Sequence, residues 1–226
     1  GRDFGMECLA SYTQIKRVHI NAIADAKSNI TWQLLSDYKK VDGFSYTCPT
    51  EITAGHGALS SLSKTVVDSG CRRALILTDR GVRGTGLADL VKTALGDLCV
   101  GIYDQIPSDP DLEAADAATA FARQMQADCL VSVGGGSVID SAKAVSVTLK
   151  QGGKANDHLN LMILTGPQTF HVAIPTTSGT GSEVTSIAVL TSRSAGRKLF
   201  IVDKHIIPNA AILDPRFTMS LPQRMT

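Results

Sequence analysis

From Arg73 onward the chain alternates short aliphatic or β-branched runs with longer segments of helical period, the pattern of a parallel sheet covered by helices. Residues 74–78 (ALILT) read as a buried strand, and 85–95 as a helix with Leu87, Leu90, Val91 and Leu95 on one face. A second strand is expected over 98–103. The helix after it starts near Pro110, with Asp111 and Glu113 in its first turn suiting the helix dipole, and should turn Ala117, Ala120, Phe121 and Met125 inward. Residues 130–133 predict the third strand, 138–149 the third helix and 171–175 the fourth strand.

Between these units the pattern loosens. Residues 150–168 turn polar and glycine-containing, which predicts a long surface crossover. Alternation returns over 186–190 and 198–202 on either side of the charged tip 193–197, a hairpin signature, and 210–213 make a last short strand before Asp214-Pro215. Near 44–55 an alternating run suggests an edge strand, followed by a glycine-rich turn and a helix over 58–67. Residues 1–43 differ: Ile15, Val18, Ala22, Ala26, Ile30 and Leu34 recur at helical spacing, the mark of an amphipathic helix. It could pack on its own domain or on a partner subunit, act as a targeting or encapsulation peptide, or be a disordered extension. The expected organisation is an N-terminal helical extension over 1–43 and one α/β domain over 44–226.

Composition narrows the function classes. The chain has 226 residues, 43% of them hydrophobic, and a formal net charge of +1, so it can bury a sizeable core but has no global attraction for nucleic acid or an anionic membrane surface. No run reaches the ~18 consecutive apolar residues of a membrane span, and the start lacks the order of a signal peptide. The five cysteines are scattered, with no C-x-x-C pair, and the five histidines are equally dispersed. That argues for reduced thiols, no metal site within this chain and a cytoplasmic setting.

Two loops concentrate the candidate chemistry. Cys129-Leu130-Val131-Ser132-Val133 runs into Gly134, Gly135, Gly136 and Ser137 and then into a helix. Glycines there are expected to adopt positive φ and admit a ligand close to the backbone, while the helix start points unpaired N–H groups at an anion such as a phosphate. The second loop, Pro175 to Thr185 (PTTSGTGSEVT), also leaves the end of a strand; its hydroxyls could orient an amide or a ribose, or merely cap a turn. In an open α/β sheet both loops would flank one crevice outside the carboxyl ends of the strands. Asp79, just past the first strand, could accept hydrogen bonds from a ribose 2′-hydroxyl or be a helix N-cap. The usual G-x-G-x-x-G order is absent, since this acid precedes the glycine loop.

The ordered set LTD, GGGS-x-x-D-x-A-K, IPTTSGTGSEVT, GRK, IP-x-x-AILDP and LP-x-x-MT resembles the nucleotide-binding half of the iron-dependent (group III) alcohol dehydrogenases, over about 44–226. The resemblance implies a Rossmann-like, dehydroquinate synthase-like α/β fold, with a parallel sheet, helices on both faces and a β-hairpin after the threonine-rich loop. It implies NAD as cofactor, with Asp79 on the adenosine ribose, Gly134, Gly135, Gly136 and Ser137 on the pyrophosphate, and Thr176, Thr177, Thr180 and Thr185 on the phosphate and nicotinamide side. Val189 would line the nicotinamide pocket and Lys198 approach the nicotinamide ribose. Asp140 and Lys143 belong to the same pattern but are expected to fix the loop onto the helix. Asp109-Pro110 stands where the family usually has Asn-Pro beside the adenine.

In the family LP-x-x-MT leads into a helical domain that carries the metal ligands, here expected beyond Thr226. The implied activity of the whole enzyme is interconversion of an alcohol and an aldehyde or ketone with Fe²⁺ as Lewis acid, in a homo-oligomer. This chain alone would bind NAD weakly and lack turnover. The alternatives are a zinc enzyme of the glycerol dehydrogenase type and a non-catalytic nucleotide-binding or scaffold module.

Overall fold

Residues 47–159, 163–193, 195–219 and 221 are described by the computed structural model. The helical periodicity of the first 43 residues lies outside them. Six strands form one parallel sheet: β1 (Glu51–Ala54), β2 (Ala74–Thr78), β3 (Cys99–Tyr103), β4 (Cys129–Gly134), β5 (Phe170–Pro175) and, last in the chain, β8 (Ala210–Leu213). Their spatial order is β1-β8-β5-β4-β2-β3. From β2 the chain steps outward to β3, then returns past β2 to β4 and proceeds the other way through β5, so the order reverses between β2 and β4. At such a reversal the flanking loops diverge and leave a crevice.

Every residue of β2 and of β4 is buried, as expected for strands covered on both faces. On one face Ala74, Ile76, Val131, Val133 and Ile174 pack with Leu62 and Val66 of α1 (Leu62–Asp68) and Leu87, Val91 and Leu95 of α3 (Leu87–Leu95). On the other, Leu75, Leu77 and Leu130 meet Ala118 and Ala122 of α4 (Leu112–Gln124) and Val138, Ala142 and Val145 of α5 (Gly136–Gln151). The remaining strands, β6 (Ile187–Ser192) and β7 (Arg197–Val202), make an antiparallel hairpin in register from Ile187↔Val202 to Ser192↔Arg197, separate from the main sheet. Its inner side, Ala188, Leu190 and Ile201, covers Ala144 and Val147 of α5. Helix α5 is thus wrapped by sheet, α4 and hairpin, and residues 138–148 are all buried, in keeping with its small and apolar residues on every side.

Several expectations are corrected in detail. The helix expected over 85–95 is preceded by a separate turn of helix, α2 (Arg80–Gly84), because Gly86 at φ 81° breaks the run. Leu90 faces solvent at 46% exposure while Ala88 takes the inward place. On α4 the buried stripe is Leu112, Ala115, Ala118, Thr119 and Ala122; Ala117 and Ala120 are exposed, and Phe121 and Met125 are half-buried at its edge. The buried stripe recurs at helical period, but alanines on both faces made the choice among them ambiguous from sequence. The 58–67 helix begins as a 3-10 turn (Ala58–Ser61) before α1, and the long crossover holds one more at Ala155–His158.

Candidate functional site

The crevice between β2 and β4 is a cleft of about 1130 Å³. Its walls are the segments that leave the carboxyl ends of β2, β3, β4 and β5: Asp79 to Val82, Gln105 to Ser108, Gly135 to Val138 and Thr176 to Thr180, with Leu221 at one side. The fold therefore brings together Asp79, Gly135, Gly136, Ser137, Thr176, Thr177 and Thr180 from three separate stretches of chain.

The glycine loop works sterically and not through unusual dihedrals. Gly135 is extended (φ −77°, ψ −171°), and none of Gly134, Gly135 and Gly136 has positive φ, which corrects the expectation from sequence. Instead, a Cβ on Gly134 would stand 2.5 Å from Val138 Cγ2, one on Gly136 2.9 Å from Thr180 Cγ2 and one on Gly135 3.2 Å from Thr177 Cγ2. Gly134 does not line the cleft. Its bare Cα lets β4 run directly under Val138, and its carbonyl accepts from Thr176 N at 3.0 Å, joining the two loops. The first helical bonds of α5 run from Val138 N and Ile139 N to Gly135 O, both 3.1 Å. Gly136 N and Ser137 N precede them and have no acceptor within the helix. These donors, with the helix dipole behind them, suit an anion at the cleft floor.

Ser137 Oγ donates to Ser108 O at 2.6 Å and so ties the β3–α4 loop to the glycine loop. Thr180 Oγ1 accepts from Ser182 N at 3.2 Å, bracing the threonine-rich turn. Asp79 is the N-cap of α2, accepting from Val82 N at 2.8 Å through Oδ1, while the residue itself borders the cleft next to Arg80.

Besides Gly134, three residues of the expected set lie outside the cleft lining. Thr185 and Val189 belong to a buried lock around Lys143, whose Nζ donates to Ile187 O (2.7 Å), Thr185 Oγ1 (3.1 Å) and Asp140 Oδ1 (3.3 Å). Asp140 Oδ2 in turn accepts from Val189 N at 3.1 Å. The pair fastens α5 to the threonine-rich loop and the hairpin, as the sequence led us to expect of Asp140 and Lys143. Burial pushes the Lys143 ammonium down to about 8, against the pull of Asp140 and Glu183. Lys198 sits on the exposed side of β7 with Nζ 3.6 Å from Asp109 Oδ1, which also accepts from Thr191 Oγ1 at 3.0 Å.

Sequence reasoning missed Gln105, Ile106 and Ser108. The signal was their place directly after β3, at the same end of the sheet as the two loops that were found. Among the described residues, no group of three or more His, Cys, Asp or Glu could hold a metal ion. The described residues therefore hold no set of side chains that fits iron.

A parallel sheet with helices on both faces and a glycine- and threonine-lined cleft at its switch point defines the Rossmann-like class. The sequence pattern described as iron-containing alcohol dehydrogenase matches residues 49–215, and the chain belongs to that family. It is 35% identical over 181 residues to the NAD-dependent methanol dehydrogenase of Bacillus methanolicus, covering 79% of this chain and 47% of the relative. Among solved structures, 1,3-propanediol oxidoreductase superposes with a TM-score of 0.77 at 31% identity, covering 81% of this chain and 49% of its own. Sulfoacetaldehyde reductase from Bifidobacterium kashiwanohense, in complex with NAD⁺, does so with a TM-score of 0.72 at 28% identity, covering 80% and 48%. The chain spans about half the length of the relatives it matches.

Proposed function

We propose that the chain is the nucleotide-binding half of an NAD-dependent alcohol dehydrogenase and that NAD lies in the cleft between β2 and β4. The observation that carries this reading is the cradle itself: Gly135 and Gly136 border the cleft without side chains, with little room for one at Gly136, where the first N–H groups of α5 have no acceptor within the helix. Gly135, Gly136 and Ser137 would hold the pyrophosphate through backbone N–H groups, with Gly134 supporting them from below. Asp79 would take the adenosine ribose, and its charge would oppose a 2′-phosphate. Thr176, Thr177 and Thr180 would serve the phosphate and nicotinamide side, with Thr185, Val189 and Lys198 completing that side as the cofactor extends toward the hairpin. Bound there, NAD supplies a hydride acceptor, and this domain's part is to hold and orient it.

The whole enzyme would interconvert an alcohol and an aldehyde or ketone. Its domain boundaries would be 1–43 for the extension and 44–226 for this domain, and its metal ligands would lie in the half of the relatives that this chain does not cover. Cys71, Cys99 and Cys129 are thiols, which favours the cytoplasm, and the whole enzyme would be a homo-oligomer. No helix among the described residues is long and apolar enough to cross a membrane.

The test is calorimetric titration of the chain and its Gly135→Val variant with NADH, after circular dichroism shows that both fold. The parent should bind weakly and the variant not at all, because the branched side chain fills the pyrophosphate space. A folded variant that binds as well as the parent would remove the basis of the assignment.

A further inference from the structure

Among the described residues that line the cleft, the charged ones are Asp79 and Arg80, neighbours of opposite sign where the chain leaves β2. Asp79 is half committed. Its Oδ1 accepts from Val82 N at 2.8 Å as the cap of α2, while its Oδ2 has no partner among the described residues. The Arg80 guanidinium has none at all among them, although the residue is exposed and borders a concave wall. Other arginines are already in use: Arg72, Arg73 and Arg123 donate to backbone carbonyls, and Arg83, Arg193 and Arg216 pair with carboxylates.

The Asp79–Arg80 corner stands one strand away from the glycine loop, because Thr78 pairs with Val133 and the two chains then diverge into opposite walls of the cleft. A nucleotide with its phosphates at Gly136 N and Ser137 N and its ribose at Asp79 presents the ribose 2′-position to this corner. The open Asp79 oxygen suits a 2′-hydroxyl as donor. It repels a 2′-phosphate, but the adjacent guanidinium offsets that charge and offers a planar fork of N–H groups that matches phosphate oxygens. Every other lining side chain is neutral, so among them this pair sets the sign of the field at the ribose.

We propose that Arg80 lets the cleft admit a 2′-phosphorylated adenine nucleotide beside the unphosphorylated one, so that the chain takes NADP(H) as well as NAD(H). The inference rests on the nucleotide reading of the cleft and adds to it the class of cofactor that the ribose wall accepts. Asp79 serves the hydroxyl form and Arg80 the phosphate form.

The test is calorimetric titration of the chain, Arg80→Gln and Arg80→Lys with 5′-AMP and with adenosine 2′,5′-bisphosphate, which differ only in the 2′-phosphate, followed by NADH and NADPH. The parent should bind the bisphosphate at least as well as 5′-AMP, and added salt should weaken the bisphosphate more. Arg80→Gln should weaken the bisphosphate and NADPH by about tenfold while 5′-AMP and NADH stay within about twofold, and Arg80→Lys should retain part of the difference. The proposal is overturned if the parent binds 5′-AMP but rejects the bisphosphate, or if Arg80→Gln weakens both ligands alike or neither. A parent that binds neither nucleotide nor NADH would overturn the nucleotide reading itself, and the role of Arg80 with it. The comparison of the two ligands and its salt dependence are read on the unmutated protein, so a misfolded variant leaves the decision intact.

Discussion

Alanine at Gly134, Gly136 and Gly135 should cost folding stability in that descending order. A Cβ on Gly134 would stand 2.5 Å from Val138 Cγ2 and 2.6 Å from its Cβ, against the ~3.5–4.0 Å of an ordinary carbon contact. Val138 is β-branched, so it has essentially one rotamer in a helix and cannot swing aside. Helix α5 is buried on every side, so it cannot slide either. About 2–3 kcal/mol, the upper part of the overpacking range, is therefore expected for Gly134→Ala. Gly136→Ala meets Thr180 Cγ2 at 2.9 Å, but Thr180 is exposed on a loop that can move, and about 1 kcal/mol is expected. Gly135→Ala needs only a few tenths of an ångström from Thr177, and should cost less than about 0.5 kcal/mol. Urea unfolding followed by circular dichroism reads the series; with a slope of roughly 2 kcal/mol per molar, Gly134→Ala lowers the midpoint by about 1 M. NADH affinity should fall at Gly135 and Gly136, which line the cleft, without a matching loss of stability. An unchanged midpoint for Gly134→Ala, or Gly135→Ala as the most damaging change, would refute the steric account of this loop.

Lys143→Met removes the donor to Ile187 O, Thr185 Oγ1 and Asp140 and leaves that carboxylate buried with Val189 N; about 3 kcal/mol should be lost in urea unfolding, and adding Asp140→Asn should recover part of it. Asp79→Gly should lower the NAD to NADP affinity ratio, since it removes a charge beside Arg80 at the cleft wall, whereas Asp79→Asn should retain more of the α2 cap; an unchanged ratio in paired titrations would leave Asp79 a cap alone. Burial, assisted by Lys143, pushes His171 down to about 3. The unfolded chain, with an ordinary imidazole near pH 6.5, then binds a proton that the native state refuses, so stability present above that pH falls by roughly 2 kcal/mol at pH 5. His171→Gln should flatten that acid limb, and an identical slope would contradict the assignment. Asp111→Ala should cost about 1–2 kcal/mol because its buried carboxylate caps α4 at Ala114 N (2.7 Å). Arg193→Ala, which removes the 73% exposed partner of the same carboxylate, should cost under about 1 kcal/mol by the same measurement.

What could be read directly was whatever depends on neighbours along the chain. The ALILT and CLVSVG runs identify themselves as buried strands because their residues are apolar or small on both faces, and a strand followed by glycines and a helix is the local pattern from which an anion-binding turn is expected. The family resemblance added the ordering of the motifs, which no single motif carries. Other features depend on groups distant in sequence. Alanines stand on both faces of α4, so which of them are buried was decided by the sheet and α5, although the stripe itself recurs at helical period. The exclusion of side chains at Gly134 and Gly136 comes from Val138 and Thr180, contacts invisible to a local reading of φ. Strand β8 slots between β5 and β1, although it is last in the chain, and Gln105 and Ser108 reach the cleft only because β3 ends beside β2. Thr185 lies in the loop whose earlier residues line the cleft and Val189 in the hairpin that follows, yet the desolvated Lys143–Asp140 pair takes up the Thr185 hydroxyl and the Val189 N–H. Hydrogen-bonding periodicity is local and can be seen in the chain. Steric exclusion and desolvation depend on which distant atoms arrive, and only the folded arrangement decides that.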